Sequence, residues 1–253
     1  MLRKWIQNTR MGYISGQTGI IRRVLREEGG WQSHLIKSSE YIQQAVKVQK
    51  SKSVRILGSG WLLDVPIKYL IDNCEEIILC DISHPNQIIN KYSTCNKIKF
   101  ETIDITGGIV DFCYSQMKKG FDVEPFVDTL SNWETIRYKD EMVVSVNLLS
   151  QLSVMITDYL TKKVNLKGDQ IRIISEIIQQ KHIESLPLGR SVLISDVEEE
   201  YYDEDDKFIG SKPTVFVDFL KGTNQSEWLW NFDSKMVYKD DCKTKLKVTA
   251  LTL

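Results

Sequence analysis

Two glycines follow an apolar segment directly in the sequence SVRILGSG, which begins at residue 53. The apolar letters of this segment predict a buried strand, and Gly58 and Gly60 predict a tight turn after it. A glycine turn lets the backbone come close to a ligand, and a helix that follows such a turn points free N–H groups at the ligand. The stretch Ser53–Pro66 therefore indicates one side of a nucleotide-type cofactor site.

Polar residues stand at the ends of three further predicted strands. Asp81 ends the segment EIILCD, Asp104 lies near the end of KIKFETIDI, and Asn147 ends MVVSVN. The carboxyl ends of strands border the ligand crevice in open α/β sheets, so these side chains are expected around one ligand. Asp81 follows the glycine turn by about 20 residues, which is the spacing of a ribose-binding acid, and its two oxygens can accept from two hydroxyls.

Strands and helices alternate along the rest of the chain. Strands are predicted at Glu76–Asp81, Lys97–Ile105, Met142–Asn147 and Arg190–Asp196. Helices are predicted at Leu62–Asn73, Pro85–Ser93, Gly108–Lys118, Leu148–Val164 and Asp169–Leu186, with Asp169 as an N-cap, and Trp133 and Ile136 are expected to mark a further short helix. Glu227–Phe232 and Lys245–Leu253 alternate apolar and polar residues and predict an antiparallel hairpin.

Residues 1–50 predict a helical extension that precedes this α/β domain. The sequence GYISGQTG, from residue 12, is expected to form a loop, followed by a short helix at Ile20–Glu28 and a longer one at about Ser33–Lys50. The longer helix carries an apolar stripe at helical spacing that must be buried. We expect the extension to pack near the first strand and to close over the cofactor as a lid.

The order of elements from residue 53 to residue 253 resembles the class I S-adenosylmethionine-dependent methyltransferases. That family has a seven-stranded, mostly parallel, Rossmann-like sheet with helices on both faces. Its last two strands form a hairpin, and the final strand is antiparallel to the rest. The resemblance implies an α/β methyltransferase-like Rossmann domain at 51–253, with 1–50 as its N-terminal extension or lid.

The resemblance also assigns roles to the polar strand ends. It implies that the glycine turn passes under the methionine part of S-adenosylmethionine, that Asp81 binds the ribose hydroxyls, and that Asp104 accepts from the adenine amino group. Asn147 falls where the family lines the methyl-transfer pocket. The implied cofactor-binding residues are Gly58, Ser59, Gly60, Asp81, Ile82, Asp104, Ile105, Asn147 and Leu148; no catalytic residue is implied.

Some positions depart from the family pattern. Ile56 stands where the family often has an acid, and Asp64 is the candidate to supply that carboxylate. Leu62 stands where a third glycine is common. Residues 147–150 read NLLS instead of the Asn/Asp-Pro-Pro-aromatic motif of many amino-group methyltransferases, so methylation of that type is not indicated.

The resemblance implies methyl transfer to a small-molecule acceptor, and two alternatives stay open. One is a non-catalytic binding module with the same fold. The other is an NAD-dependent oxidoreductase, although Leu63 stands where the third glycine of that fingerprint belongs. The formal net charge of −1 gives no general attraction to nucleic acid.

The remaining residue types add expectations about environment. No apolar run is long enough to span a bilayer, and five cysteines without a CxxC pair suggest free thiols in a cytoplasmic protein. No His, Cys and acid cluster has metal-ligand spacing. The acidic run at 196–206 predicts a solvated loop near the substrate mouth. His182 is expected in the core and His84 near the ribose or adenine, and His34 is a candidate base.

Overall fold

A mixed β-sheet lies between two layers of helices in the computed structural model, which describes residues 2–117, 120–218, 222–239 and 241–253. Its strands are β1 (Ser53–Leu57), β2 (Glu76–Asp81), β3 (Ile98–Thr102), β4 (Met142–Val146), β5 (Ser191–Tyr202), β6 (Phe208–Pro213), β7 (Thr223–Asp233) and β8 (Lys243–Thr252). Its helices are α1 (Leu2–Arg10), α2 (Tyr13–Arg26), α3 (Gln32–Gln49), α4 (Ile67–Asn73), α5 (Asn86–Tyr92), α6 (Ile109–Gln116), α7 (Val123–Ser131), α8 (Leu149–Thr161) and α9 (Gly168–Ser185).

The strands follow the order β3-β2-β1-β4-β5-β8-β7. The pairs from β3 to β5 are parallel, and β8 is antiparallel to both of its neighbours. This arrangement confirms the predicted Rossmann-like sheet with a C-terminal hairpin whose last strand is antiparallel. An additional strand, β6, was not predicted; it pairs antiparallel with the C-terminal part of β5. The chain order reverses between β1 and β4, and a ligand crevice is expected at such a switch point.

The central strands form because their residues can be buried on both faces. All five residues of β4 are buried, and β1 and β2 are nearly as apolar. Ile56 and Val144 face a core shared with α3 and α4, whereas Leu57 and Val143 face the opposite core beside α8 and α9. Continuous apolar runs of this kind are typical of parallel strands covered by helices on both sides.

The N-terminal extension shares the main core. Ile42 and Val46 of α3 are buried in the same cluster as the strands. Trp31, which precedes α3, stacks on Phe232 at 5.6 Å and meets Trp230 edge-on at 4.6 Å. Its Nε1 donates to the Phe232 carbonyl oxygen over 3.0 Å. The extension is therefore joined to β7 by aromatic packing and one buried hydrogen bond.

The predicted loop in the extension was wrong. Helix α2 runs from Tyr13 to Arg26 and includes Gly16 and Gly19. Of the glycines at positions 12, 16 and 19, only Gly12, with a φ of 91°, interrupts the helical conformation, and it separates α1 from α2. A glycine inside a helix costs only about 1 kcal/mol relative to alanine, which tertiary packing can offset.

The helix after the glycine turn begins later than predicted. Instead of starting at Leu62, α4 starts at Ile67, directly after Pro66. A residue that precedes proline disfavours the helical region, which argues against helix at Val65. Leu62 itself has a left-handed φ of 56°. The position where the family often has a third glycine therefore has a conformation that suits glycine.

Two smaller predictions were also wrong. Trp133 and Ile136 lie in an irregular segment, because the helix of this region is α7, which ends at Ser131. Asp169 lies in the first turn of α9, and Lys167 holds the N-cap position, where its backbone N–H donates to Gln170. The end predicted at Lys118 for the helix that starts at Gly108 lies outside the described residues; α6 ends at Gln116.

The acidic run 196–206 is mostly strand, which corrects the predicted loop. Strand β5 continues to Tyr202, and only the turn after it is irregular. Glu198 and Glu200 lie opposite Lys247 and Lys245 of β8. Facing charges of opposite sign stabilise neighbouring strands, so the lysines of β8 allow this acidic segment to remain extended.

The five cysteines are free, and all except Cys95 are buried. Cys80 of β2 lies beside Arg55, whose Nη1 is 3.0 Å from its sulfur, and burial raises the pKa of the Cys80 thiol to about 12. Among the described residues, no group of three His, Cys or acidic side chains could hold a metal ion. Within the same residues, every helix is too short or too polar to cross a bilayer.

We expect Trp31→Ala to lower the free energy of unfolding by about 3–5 kcal/mol, because it removes a buried aromatic side chain and leaves a cavity. Trp5→Ala is the matched control, because Trp5 is 57% exposed. Urea unfolding of the two variants measures the difference. A loss for Trp31→Ala as small as that for Trp5→Ala would contradict a shared core.

Candidate cofactor site

The ends of β1 and β4 meet at the glycine turn. Gly58 has a φ of 74°, and a Cβ atom placed on it would lie 3.1 Å from Cδ1 of Leu148. The N–H groups of Gly58 and Ser59 both donate to the carbonyl oxygen of Cys80, over 2.9 and 3.1 Å. Only glycine combines this conformation with so close a neighbour. We use the name β1–β4 cleft for the region around Gly58, Gly60, Asp81, Asn147 and Leu148, where the switch point of the sheet predicts a ligand crevice.

Asp81 holds the glycine turn through its carboxylate. Gly60 N–H donates to Oδ2 over 2.9 Å, and Ser83 N–H donates to Oδ1 over 3.0 Å. The residue is only 6% exposed, and burial raises the pKa of its carboxyl. A carboxylate has about four acceptor sites. The backbone N–H of Ile82 is a third donor to this carboxylate. One acceptor site is therefore left for a ligand hydroxyl.

Asp104 is already saturated by local hydrogen bonds. Its Oδ1 accepts from the N–H and hydroxyl of Thr106, and its Oδ2 accepts from the N–H groups of Gly108 and Val110. The carboxylate thus caps the first turn of α6. Contact with an adenine amino group would require one of these bonds to open. Ile105 is buried in the core beside Tyr138.

The N-terminal extension covers the glycine turn. The carbonyl oxygen of Gln17 accepts from Trp61 Nε1 over 2.9 Å, and Asn8 donates to the Ile82 carbonyl oxygen over 3.1 Å. The side-chain oxygen of Gln17 is buried without a partner, and this side chain is the nearest group to a Cβ placed on Gly60, at 3.6 Å. An unpartnered buried acceptor beside the turn is suited to a ligand donor such as an ammonium group.

Tyr13 extends from α2 toward the two predicted cofactor acids. The pKa of its phenol is raised well above 10, first by burial and then by the charges of Asp104, Cys113 and Asp81. Its ring packs against the same buried apolar cluster as Ile82 and Trp133. Tyr13 therefore lies close to the positions where the sequence predicts the ribose and adenine.

Asn147 connects the cleft to the extension. It has a left-handed φ of 48°, and its amide nitrogen lies 2.6 Å from Asp64 Oδ2 and 3.0 Å from His34 Nε2. Trp228 Nε1 donates to His34 Nδ1 over 3.1 Å. The amide oxygen of Asn147 is buried without a partner. We call Asp64, Asn147, His34 and Trp228 the Asp64 network.

The other two histidines differ in their surroundings. His182 is buried in the core, as predicted, with Nε2 2.8 Å from the Ser145 hydroxyl. His84 lies beside the glycine turn, with Nδ1 3.5 Å from the Ser59 hydroxyl, and its Nε2 is 3.1 Å from the carbonyl oxygen of Glu101. His34, the candidate base, is only 1% exposed.

The structure brings most predicted site residues together at the β1–β4 cleft, while Asp104 and Ile105 lie toward α6. Sequence reasoning missed Tyr13, Gln17, Trp61 and Trp228 as neighbours of the site. None of them belongs to a motif, and the predicted glycine loop at 12–19 obscured the helix that positions the first two. Sequence analysis named Asp64, Asn147 and His34 separately, but it gave no sign that the three side chains meet.

Comparisons with known proteins gave structural matches only. No family model and no curated protein sequence matches the chain. Solved structures that resemble it include an N-methyltransferase, NodS from Bradyrhizobium japonicum WM9 in complex with S-adenosyl-L-homocysteine, at 11% identity and a TM-score of 0.38, covering 85% of each chain. A DhpI–SAM–HEP complex has 11% identity and a TM-score of 0.39, covering 94% of this chain and 97% of that chain. These values are low, so our assignment of the fold rests on the strand order.

We expect Gly58→Ala to lower the free energy of unfolding by about 2–4 kcal/mol, because a left-handed φ and a crowded Cβ both oppose the change. Two controls separate these causes. Gly29→Ala has a φ of 94° but an uncrowded Cβ, so about 1–2 kcal/mol is expected from conformation alone. Gly168→Ala has neither problem and should be neutral or slightly stabilising. Equal losses at Gly58 and Gly29 in urea unfolding would refute the contact with Leu148.

Proposed function

We propose that the chain is an S-adenosylmethionine-dependent methyltransferase that acts on a small-molecule acceptor. The observation that carries the proposal is the hydrogen bond between Gly60 N–H and Asp81 at the switch point of the sheet. It joins a glycine turn to a carboxylate that has a spare acceptor site, at the ends of neighbouring strands. The fold and strand order of the class I methyltransferases support the same assignment.

Different residues of the site fit different parts of the cofactor. Asp81 has an acceptor site for a ribose hydroxyl, the unpartnered oxygen of Gln17 suits the ammonium group, and the Gly58–Gly60 turn, which has no bulky side chain, suits the methionine part. When bound, S-adenosylmethionine supplies a methyl group on a good leaving group. The tasks left to the chain are to orient the two reactants and exclude water, which α1 and α2 are placed to do.

A non-catalytic binding module is the second candidate, and one observation favours it. All four acceptor positions of Asp104 are filled from within the chain. The Trp61–Gln17 bond also closes the turn from outside. A chain that had lost the cofactor would keep both contacts permanently.

Calorimetric titration of the whole chain with S-adenosylmethionine, S-adenosylhomocysteine and NAD separates the candidates. We expect binding of the first two in the micromolar range, near −8 kcal/mol, and no binding of NAD. Binding of NAD alone would favour an oxidoreductase. Binding of none of the three would contradict the proposed function and favour a module that has lost the cofactor.

We expect Asp81→Ala to weaken S-adenosylmethionine binding at least about tenfold, because a charge-assisted hydrogen bond contributes about 1.5–3 kcal/mol. The matched control is Glu75→Ala, since Glu75 is an exposed acid at the opposite end of β2. Thermal melting checks that both variants fold. Unchanged affinity in a folded Asp81→Ala variant would remove the ribose assignment.

A further inference from the structure

The Asp64 network contains a donor that fixes the positions of its protons. An indole N–H can only donate, so His34 Nδ1, which faces Trp228 Nε1, must accept. Burial lowers the pKa of His34 to about 3, so its imidazole is neutral and carries one hydrogen. That hydrogen must then be on Nε2, and Nε2 donates to the side chain of Asn147.

The donor on His34 sets the orientation of the Asn147 amide. An amide nitrogen facing the Nε2–H group would place two donors against each other, and hydrogen-bond partners decide how an amide is oriented. The amide oxygen of Asn147 therefore faces both His34 Nε2 and Asp64 Oδ2. Its nitrogen takes the position that has no partner in the chain.

The position of the Asn147 oxygen requires a proton on Asp64. The two side-chain atoms are 2.6 Å apart. That separation is typical of an O–H···O hydrogen bond, at about 2.5–3.0 Å. Two oxygens at this distance need a hydrogen between them, and only the carboxyl group of Asp64 can carry it. Burial also raises the pKa of the Asp64 carboxyl.

The surroundings of Asp64 leave its charge open to control by a ligand. Among the described residues, His34 from α3 is the second titratable side chain of the network, and its imidazole is neutral. Trp228, which β7 contributes to the network, has no charge. Asp64 is half-buried, and its partner Asn147 borders the β1–β4 cleft. A cation bound in this cleft would favour the ionised carboxylate.

We propose that Asp64 is a neutral carboxylic acid in the ligand-free protein and that it releases its proton when a positively charged ligand binds in the β1–β4 cleft. The ligand part rests on the proposed function, because the sulfonium cofactor is the cation expected there. Ionisation removes the hydrogen that joins Asp64 Oδ2 to the Asn147 oxygen, so these two groups separate in the ligand-bound protein.

The protonation of the free protein can be tested without any ligand. Nuclear magnetic resonance of labelled histidine should find Nε2 protonated and Nδ1 unprotonated in His34. The carboxyl carbon of Asp64 should titrate above the ordinary aspartate value of about 3.9. A proton on Nδ1, or a titration at or below that value, would overturn the proposal. This result does not depend on whether the chain binds S-adenosylmethionine.

The ligand part is tested by calorimetry with S-adenosylmethionine in two buffers of different ionisation enthalpy, at a pH below the Asp64 titration that the resonance measurement finds. We expect release of about one proton from the wild-type chain when the neutral acid ionises. Asp64→Asn should bind with none, because its amide can still donate to Asn147. Asp72→Asn, an exposed control on α4, should behave as wild type.

Each calorimetric outcome has one meaning. Binding with no proton release in the wild-type chain, or with equal release in Asp64→Asn, would overturn the role of Asp64 and leave the proposed function standing. Absence of S-adenosylmethionine binding in every variant would contradict the proposed function. The proposal that Asp64 is neutral in the free protein would then be tested by nuclear magnetic resonance alone.

Discussion

The close approach of Gly58 and Leu148 is the constraint on which the rest of the cleft depends. It brings the ends of β1 and β4 together at the point where the order of the sheet reverses. The preceding residue, Asn147, has a left-handed conformation, which asparagine tolerates better than most side chains. Its amide lies against Asp64 and His34. The packing of Leu148 on Gly58 and the polar contacts of Asn147 therefore lie side by side at the end of β4.

The extension completes the polar structure of the site as well as its hydrophobic packing. It supplies the carbonyl oxygen that holds Trp61, the amide that reaches Ile82 and the imidazole that orients Asn147. Buried polar groups without partners are costly, so the ends of the central strands would be less stable without α1–α3.

The strands could be predicted because continuous apolar runs such as EIILCD have few other stable environments. The hairpin of β7 and β8 followed from alternation. Asp81 lies beside the glycine turn, as its place at a strand end predicts, and its role toward a ribose stays a prediction. Helix α2 could not be predicted, because its glycines are compensated by contacts with distant residues such as Trp61 and Met155. The extended conformation of the acidic segment could not be predicted locally, because the lysines that lie opposite it are about 45 residues further along the chain. The Asp64 network joins four segments, and no local pattern records such a meeting.

The buried thiol of Cys80 has a consequence for how the sheet can be observed. It lies in the middle of the parallel strands, and a pKa of about 12 leaves almost no reactive thiolate at neutral pH. An alkylating reagent can reach it only when the strands around it separate. The rate at which the Cys80 sulfur is alkylated therefore measures how often this part of the sheet opens, and no introduced label is needed.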